Sequence, residues 1–140
     1  MKKFLYIFFL HLAIIFYSQS YYNYKLYDSS SGFANSVNDI TKDESGMIWL
    51  STDEGLWKFD GYNFINFKSK YWKQTGKSVL KAITFKNKVY VVYKNNGCTE
   101  LNTDTGEEKL ITTEEVNDVS VERQQVFYSV PQNSTTIKRI

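Results

Sequence analysis

Residues 36–67 read SVNDITKDESGMIWLSTDEGLWKFDGYNFINF, four short apolar segments separated by three turns. The turns are Asp43-Glu44-Ser45-Gly46, the three-residue loop Asp53-Glu54-Gly55, and Asp60-Gly61. Short loops that contain Asp-Gly or end in glycine are typical of β-hairpins, because glycine tolerates the left-handed conformation that such turns need. This stretch is therefore predicted to form one antiparallel unit of four strands.

The same pattern recurs at an offset of about 42 residues, which lies in the range of propeller repeats. The corresponding segments are Ser36-Val37 with Ser78-Val79, Ile48-Trp49-Leu50-Ser51 with Val89-Tyr90-Val91-Val92, and Gly55 with Gly97. A third copy begins at Val116-Asn117-Asp118-Val119 and continues to Ile140. The chain thus contains about two and a half copies of one unit.

Short strands with frequent turns, and no helical periodicity after the first twenty residues, indicate an all-β protein. Four-stranded units that repeat at this period are blades of a β-propeller, so we predict an incomplete propeller. Its parts are an N-terminal strand at 21–33, blade 1 at 34–70, blade 2 at 78–113 and a partial blade 3 at 114–140. In the N-terminal strand, Tyr22, Tyr24 and Leu26 alternate with polar residues, and we expect this strand to complete the last blade of a longer ring.

Residues 1–20 are predicted to be a signal peptide. Met1-Lys2-Lys3 is a positively charged start, Phe4 to Tyr17 is apolar, and Ser18-Gln19-Ser20 offers small residues for cleavage. The apolar run is about 14 residues long, shorter than the ~20 that span a bilayer. We therefore expect an exported protein with a cleaved leader, and an uncleaved membrane anchor is the alternative.

The composition argues against several kinds of site. His11, the only histidine, lies in the predicted leader, so we expect no histidine-based catalysis or metal binding in the mature chain. Cys98 is the only cysteine, which excludes an internal disulfide; we expect it to pack as a small hydrophobe, with a reactive thiol as the alternative. Without Lys2 and Lys3 the chain carries 15 basic and 15 acidic side chains, so it lacks a basic footprint for nucleic acid.

Pairs of adjacent acids invite a catalytic interpretation, but each pair lies on a predicted turn, where neighbouring side chains point apart into solvent. The pairs are Asp43 with Glu44, Asp53 with Glu54, Glu107 with Glu108, and Glu114 with Glu115. Residues 102–107 slightly resemble a calcium loop but lack the ligand spacing of an EF-hand, and a hairpin with an Asx-type turn is expected instead. We therefore predict no catalytic residue, no metal site and no cofactor.

With these residues in view, the central stretch resembles the two-component regulator propeller repeat. That repeat combines an aspartate and glycine turn, an Ile-Trp-Ile/Leu strand, a threonine step, a Gly-Leu pair and an aromatic-Asp-Gly ending. The matching positions are Asp43, Gly46, Trp49, Thr52, Gly55, Leu56, Asp60 and Gly61. Ser51 replaces the more usual glycine, and the second copy has Tyr90 in place of the tryptophan.

The resemblance implies a non-catalytic, ligand-sensing region in the periplasm, at the N-terminus of a membrane-spanning regulator such as a hybrid histidine kinase. It implies that Trp49 and Leu56 pack between blades, that Gly55 and Gly61 permit turns, and that loops at one end contact the ligand. In several such proteins the propeller region responds to carbohydrate. The start and end of the leader also resemble those of exported proteins of Bacteroidetes.

On this interpretation the chain is a truncated N-terminal fragment whose parent is anchored in the inner membrane and carries the kinase domain. The alternatives are an N-terminal piece of a secreted β-propeller enzyme, such as a lyase or glycosidase, or of an adhesive surface protein built from repeats. Open sheet edges expose unpaired backbone donors and acceptors, so self-association through these edges is also expected.

Overall fold

Glycine and aspartate turns divide the chain into short strands that pair only with their sequence neighbours. In the computed structural model, which describes residues 23–71, 78–131 and 136–140, eleven strands form three antiparallel sheets. The predicted signal peptide lies outside the described residues. The all-β class and the antiparallel blades predicted from the sequence are confirmed.

Each sheet corresponds to one repeat. Blade 1 contains β1 (Val37–Lys42), β2 (Ile48–Thr52), β3 (Gly55–Phe59) and β4 (Phe64–Phe67), in that order across the sheet. Blade 2 contains β5 (Val79–Phe85), β6 (Lys88–Tyr93), β7 (Cys98–Asn102) and β8 (Glu108–Thr112). Blade 3 contains β9 (Asp118–Glu122), β10 (Gln125–Val130) and β11 (Thr136–Arg139).

The first strands of the blades lie side by side, since β1 contacts β5 and β5 contacts β9. Polar groups link these strands across the blades. The Asp39 carboxylate accepts a hydrogen bond of 3.3 Å from the Ala82 amide, and Lys81 Nζ donates one of 2.7 Å to the Asp118 carboxylate. The first strand of each blade is therefore its innermost strand, as in a propeller.

Two clusters of the hydrophobic core lie between the blades, one in each space between neighbouring blades. The cluster between blades 1 and 2 contains Trp49, Leu56, Val79, Ala82, Val89, Val91, Tyr93 and Leu101. The cluster between blades 2 and 3 contains Tyr90, Val92, Cys98, Val116, Val119, Val126, Tyr128 and Val130. Because the central sheet is covered on both faces, β6 is a nearly continuous apolar run rather than an alternating one.

The repeats agree in detail. The pairing of β1 with β2 shifts register between Val37 and Asp39, and the pairing of β5 with β6 shifts at the equivalent place, between Val79 and Lys81. The loop between β2 and β3 is shorter than the three residues predicted. Thr52 pairs directly with Gly55, which has a φ of 119° and opens β3, so the loop contains two residues.

The structure has no strand within residues 23–33, in contrast to the predicted N-terminal strand. Ser29–Ser31 form a turn of 3-10 helix instead. The segment packs through its side chains, because the Tyr27 ring meets the rings of Phe59 and Phe64, and the Phe33 ring meets those of Trp57 and Phe64. These aromatic contacts hold the segment against the face of blade 1, while Tyr24 and Leu26 remain exposed.

Candidate functional site

The residues that match the repeat build turns and the space between blades. Asp43 is buried and accepts three hydrogen bonds, from Ser45 Oγ at 2.6 Å, from the Met47 amide at 3.0 Å and from Trp49 Nε1 at 2.9 Å. Gly46 completes this turn with a φ of 91°. One carboxylate therefore fixes both the first turn and the orientation of the Trp49 indole.

Two other motif residues shape the remaining turns of blade 1. Thr52 Oγ1 accepts from the Glu54 amide at 3.1 Å and donates to the Gly55 carbonyl at 2.8 Å. Asp60 Oδ1 accepts from the Tyr62 and Asn63 amides at 2.8 and 2.7 Å. Gly61 follows Asp60 with a φ of 99°, a conformation in which a side chain would be strained.

The structure places Trp49 and Leu56 in the cluster between blades 1 and 2, where each is almost completely buried. Neither side chain is accessible to a ligand. The residues that carry the sequence resemblance therefore mainly position the turns and the blades, and two of them, Gly55 and Leu56, also border a groove.

A groove lies at the end of the blades where β2 joins β3 and β4 leads to blade 2. It has a volume of about 680 Å³. Its lining combines aromatic rings, amides, lysines and one acid, and includes Asn35, Glu54, Trp57, Asn66, Phe67, Lys68, Lys70 and Tyr93. A groove with aromatic surface and several polar groups suits a small polar ligand that also has an apolar face.

Trp57 has a buried indole N–H and lies beside the groove. Its ring borders the groove and meets the Phe33 ring edge-on, with 5.5 Å between the centroids. Its Nε1 is buried and has no hydrogen-bond partner among the described residues. A buried polar group without a partner is uncommon in native proteins and often lies at a functional site.

Glu108 fixes one wall of the groove. This buried carboxylate accepts from Ser69 Oγ at 2.7 Å, from the Lys70 amide at 2.8 Å and from the Tyr93 hydroxyl at 3.4 Å. It thus ties the segment after blade 1 to β6 and β8 of blade 2. Burial raises the pKa of the Tyr93 hydroxyl above its usual range, so that Tyr93 stays a neutral donor.

The expectation that the paired acids all point into solvent is wrong for Asp43 and Glu108. Sequence analysis missed them because their partners, Trp49 in one case and Ser69 with Lys70 in the other, approach them only in the folded chain. Glu107, the neighbour of Glu108, is exposed as expected. Glu108 opens β8, whereas Glu107 precedes the strand, and no local pattern of the sequence separates the two.

A second acid connects blades 1 and 2 at the same end as the groove. Asp53 Oδ1 accepts from Ser78 Oγ at 2.9 Å and from Asn38 Nδ2 at 3.3 Å, and Asn38 Nδ2 also reaches the Val79 carbonyl at 2.9 Å. The hydrogen bonds from Asn38 and Ser78 hold the pKa of Asp53 below its usual value. Asp53 is therefore an ionised link between the blades.

The possible calcium loop at 102–107 is a hairpin turn. Asn102 Oδ1 accepts from the Asp104 amide at 2.9 Å and from the Thr105 amide at 3.0 Å, as in the Asx-type turn that was expected. Within residues 23–71, 78–131 and 136–140, no three His, Cys, Asp or Glu side chains are grouped closely enough to hold a metal ion. No helix in that part of the chain has the length and apolarity to span a membrane.

Comparison with known proteins identifies the class of fold. The structure is similar to the extracellular domain of BT3049, described as a hybrid two component system of B. thetaiotaomicron, with a TM-score of 0.57 and 21% sequence identity. The match covers 76% of this chain and 17% of that chain. The match confirms the predicted fold. The neighbour comes from a two component system, which is the class of regulator that the repeat resemblance implies.

A second structure, the extracellular domain of a one component system of B. thetaiotaomicron, matches at 12% identity with a TM-score of 0.37. That match covers 86% of this chain and 22% of the other. No family model and no curated protein matches the sequence. This chain spans less than a quarter of the length of either structural neighbour.

Proposed function

We propose that this chain forms the opening blades of a non-catalytic, ligand-sensing propeller in the exported region of a two-component regulatory protein. The observation that supports this most strongly is the shared fold with the extracellular domain of a hybrid two component system. The predicted leader and the match of residues 43–61 to the repeat support the same assignment. In the periplasm, a longer parent anchored in the inner membrane carries the output domain.

The groove beside Trp57 is the proposed ligand contact in this part of the sensor. The partly exposed Trp57 ring offers a stacking surface for a sugar ring, and Asn35 and Asn66 offer amides for its hydroxyl groups. Neutral carbohydrates combine apolar faces with hydroxyl groups, so they are the ligand class that this lining fits best.

This function is tested by measuring the melting temperature of the purified chain with neutral oligosaccharides of glucose, mannose, xylose and arabinose, followed by calorimetry of any that stabilise it. A ligand that binds only the folded chain raises the melting temperature. Trp57→Ala and Asn66→Ala are each expected to weaken binding at least about tenfold, because each removes a contact from the groove.

Tyr62→Ala is the matched control, since Tyr62 is an exposed aromatic residue outside the groove lining. It is expected to bind the sugar like the unmodified chain. If no sugar in the panel stabilises the chain, or if Trp57→Ala binds as tightly as the unmodified chain, the groove is not the carbohydrate site.

A further inference from the structure

The groove lies at the end of the core between blades 1 and 2. Leu56 and Tyr93 line the groove and also belong to the hydrophobic cluster between these blades, and Phe67 lines the groove and packs against that cluster. Leu56 and Phe67 are part of blade 1, whereas Tyr93 is part of blade 2. A ligand in the groove would therefore lie over the contact that joins the two blades.

The wall of the groove includes the segment that leaves blade 1. Residues 68–70, here called the connecting segment, follow β4 and line the groove. Glu108 of blade 2 holds the connecting segment at two points, through Ser69 Oγ at 2.7 Å and the Lys70 amide at 2.8 Å. Ser69 is buried at this contact although it lies outside the strands. The position of the connecting segment thus depends on a carboxylate of the other blade.

Glu108 is itself anchored beside the core between the blades. It pairs with Leu101, whose side chain is buried in the cluster between blades 1 and 2, and directly paired residues point to the same face of a sheet. The Tyr93 hydroxyl, from the same cluster, donates to the Glu108 carboxylate at 3.4 Å. The carboxylate therefore joins the wall of the groove to the core.

The burial of Glu108 makes its contacts depend on one another. A buried carboxylate is costly unless donors surround it. If the connecting segment moved away, Glu108 would lose the donors of Ser69 and Lys70 and would need water in their place. Because Glu108 is only 4% exposed, water reaches it only when the packing around it opens. Docking of the connecting segment and closure of the space between the blades are therefore expected to occur together.

We propose that ligand binding in the groove is coupled to the docking of blade 1 on blade 2, with Glu108 as the positioning residue that connects them. The inference rests on the proposed function for the class of the ligand. Coupling between two equilibria is reciprocal, so a sugar that binds beside the docked segment stabilises the contact between the blades, and docked blades bind the sugar more tightly.

Two backbone amides report on the two ends of this connection through hydrogen exchange, measured by NMR. The Lys70 amide binds Glu108 at the groove, and the Ala82 amide binds the Asp39 carboxylate of blade 1 at 3.3 Å. Ala82 lies on the inner strand β5, outside the groove lining. Exchange at Ala82 therefore measures the docking of the blades away from any contact with the ligand.

Without ligand, Glu108→Gln is expected to speed exchange at Lys70 at least about tenfold and at Ala82 at least about threefold, because the new amide turns a donor towards other donors. Glu107→Gln is the control, since Glu107 is the exposed neighbour, and it should change neither rate. Ser69→Ala gives the same test if Glu108→Gln fails to fold. Unchanged exchange at Lys70, faster exchange at Lys70 but not at Ala82, or equal acceleration throughout β10 would each overturn the proposal.

With ligand, a sugar that binds the unmodified chain is expected to slow exchange at Ala82 at least about threefold at saturation. In Glu108→Gln, also saturated, the effect should be much smaller. Equal slowing in both proteins would mean that Glu108 does not connect the groove to the blades. If no sugar binds, the proposed function fails, whereas the rates without ligand still decide whether Glu108 connects the segment to the contact between the blades.

Discussion

Asp43 links the first turn of blade 1 to the space between blades 1 and 2. Its carboxylate accepts hydrogen bonds from a hydroxyl, a backbone amide and an indole, and these join the first turn to the interface between blades. Burial by itself raises the pKa of Asp43, but the hydrogen bonds from Ser45, Trp49 and the Met47 amide outweigh that effect. The pKa of Asp43 therefore lies below its ordinary value.

Asp43→Asn is expected to lower the free energy of unfolding by about 2 kcal/mol at pH 7, because the amide replaces a charged acceptor and turns a donor towards other donors. A lowered pKa stabilises the folded state above the ordinary aspartate pKa of about 3.9, and this contribution is lost as the pH falls through the folded-state value. The difference between the two proteins should therefore shrink below pH 4, as measured by urea unfolding.

Glu44→Gln is the control for Asp43→Asn, since Glu44 is the exposed neighbour on the same turn. It is expected to change the unfolding free energy little at either pH. An equal loss for Asp43→Asn at pH 7 and at pH 3 would show that the charge of Asp43 does not stabilise the fold.

At the scale of the strands, Gly97 and Gly55 occupy equivalent places for different physical reasons. Gly55 has a positive φ, which glycine adopts at little cost. Gly97 does not have a positive φ, but a Cβ there would lie 1.6 Å from the Thr112 carbonyl oxygen. The sequence repeat preserves the glycine, while the structure shows that the second glycine leaves room for the end of β8.

Gly97→Ala is expected to lower the free energy of unfolding by about 3 kcal/mol, because backbone has to move to admit the methyl group. Gly106→Ala is the comparison, since Gly106 has a φ of 70° but open space around its Cα. Its strain is expected to cost about 1 kcal/mol. Equal losses in urea unfolding would mean that close approach of the backbone is not what requires Gly97.

The strands could be predicted from sequence because the signals for them are local. Alternation, apolar runs and Asp or Gly turns lie within a few residues of the elements that they define, and the 42-residue repeat transfers one assignment to the next copy. The packing of residues 23–33 could not be predicted, because Tyr27 and Phe33 find aromatic partners on the face of blade 1 and no local pattern reveals such partners.

The candidate site was harder to predict for the same reason. The groove combines Trp57 and Asn66 of blade 1 with Tyr93 of blade 2, residues that the repeat pattern does not bring together. Glu108 binds Ser69 and Lys70, which follow blade 1, and these contacts form only in the folded chain. The turns and the interfaces between blades could be predicted from the sequence, whereas the groove forms by packing between segments that are distant in the chain.

At the scale of the whole molecule, Cys98 reports on the contact between blades 2 and 3. Its side chain is fully buried in that interface, and burial raises the pKa of the thiol to about 12. The thiolate is the reactive form, so a thiol reagent should modify Cys98 only when blade 3 separates from blade 2.

Val119→Ala, which weakens the interface between blades 2 and 3, is expected to speed modification of Cys98 at least about tenfold. Val89→Ala removes the same two methyl groups from the interface between blades 1 and 2, and it should change the rate much less. The rates can be followed by mass spectrometry under native conditions. Equal acceleration by both variants would show that the thiol becomes accessible only through global unfolding.

The two internal interfaces differ in residue size, since the first contains Trp49 and Ala82 and the second contains Tyr90 and Val119. This difference bears on how a chain of similar repeats avoids misassembly. A blade 1 that docked directly on blade 3 during folding would press Trp49 into the space beside Val119, which is filled in the native fold by the smaller Tyr90. If blade 2 of one nascent chain captured blade 2 of another, Tyr90 would meet Ala82 and leave a void. Because overfilled and underfilled contacts are both unfavourable, residue size records the order of the blades and favours the correct neighbour while the chain is still collapsing.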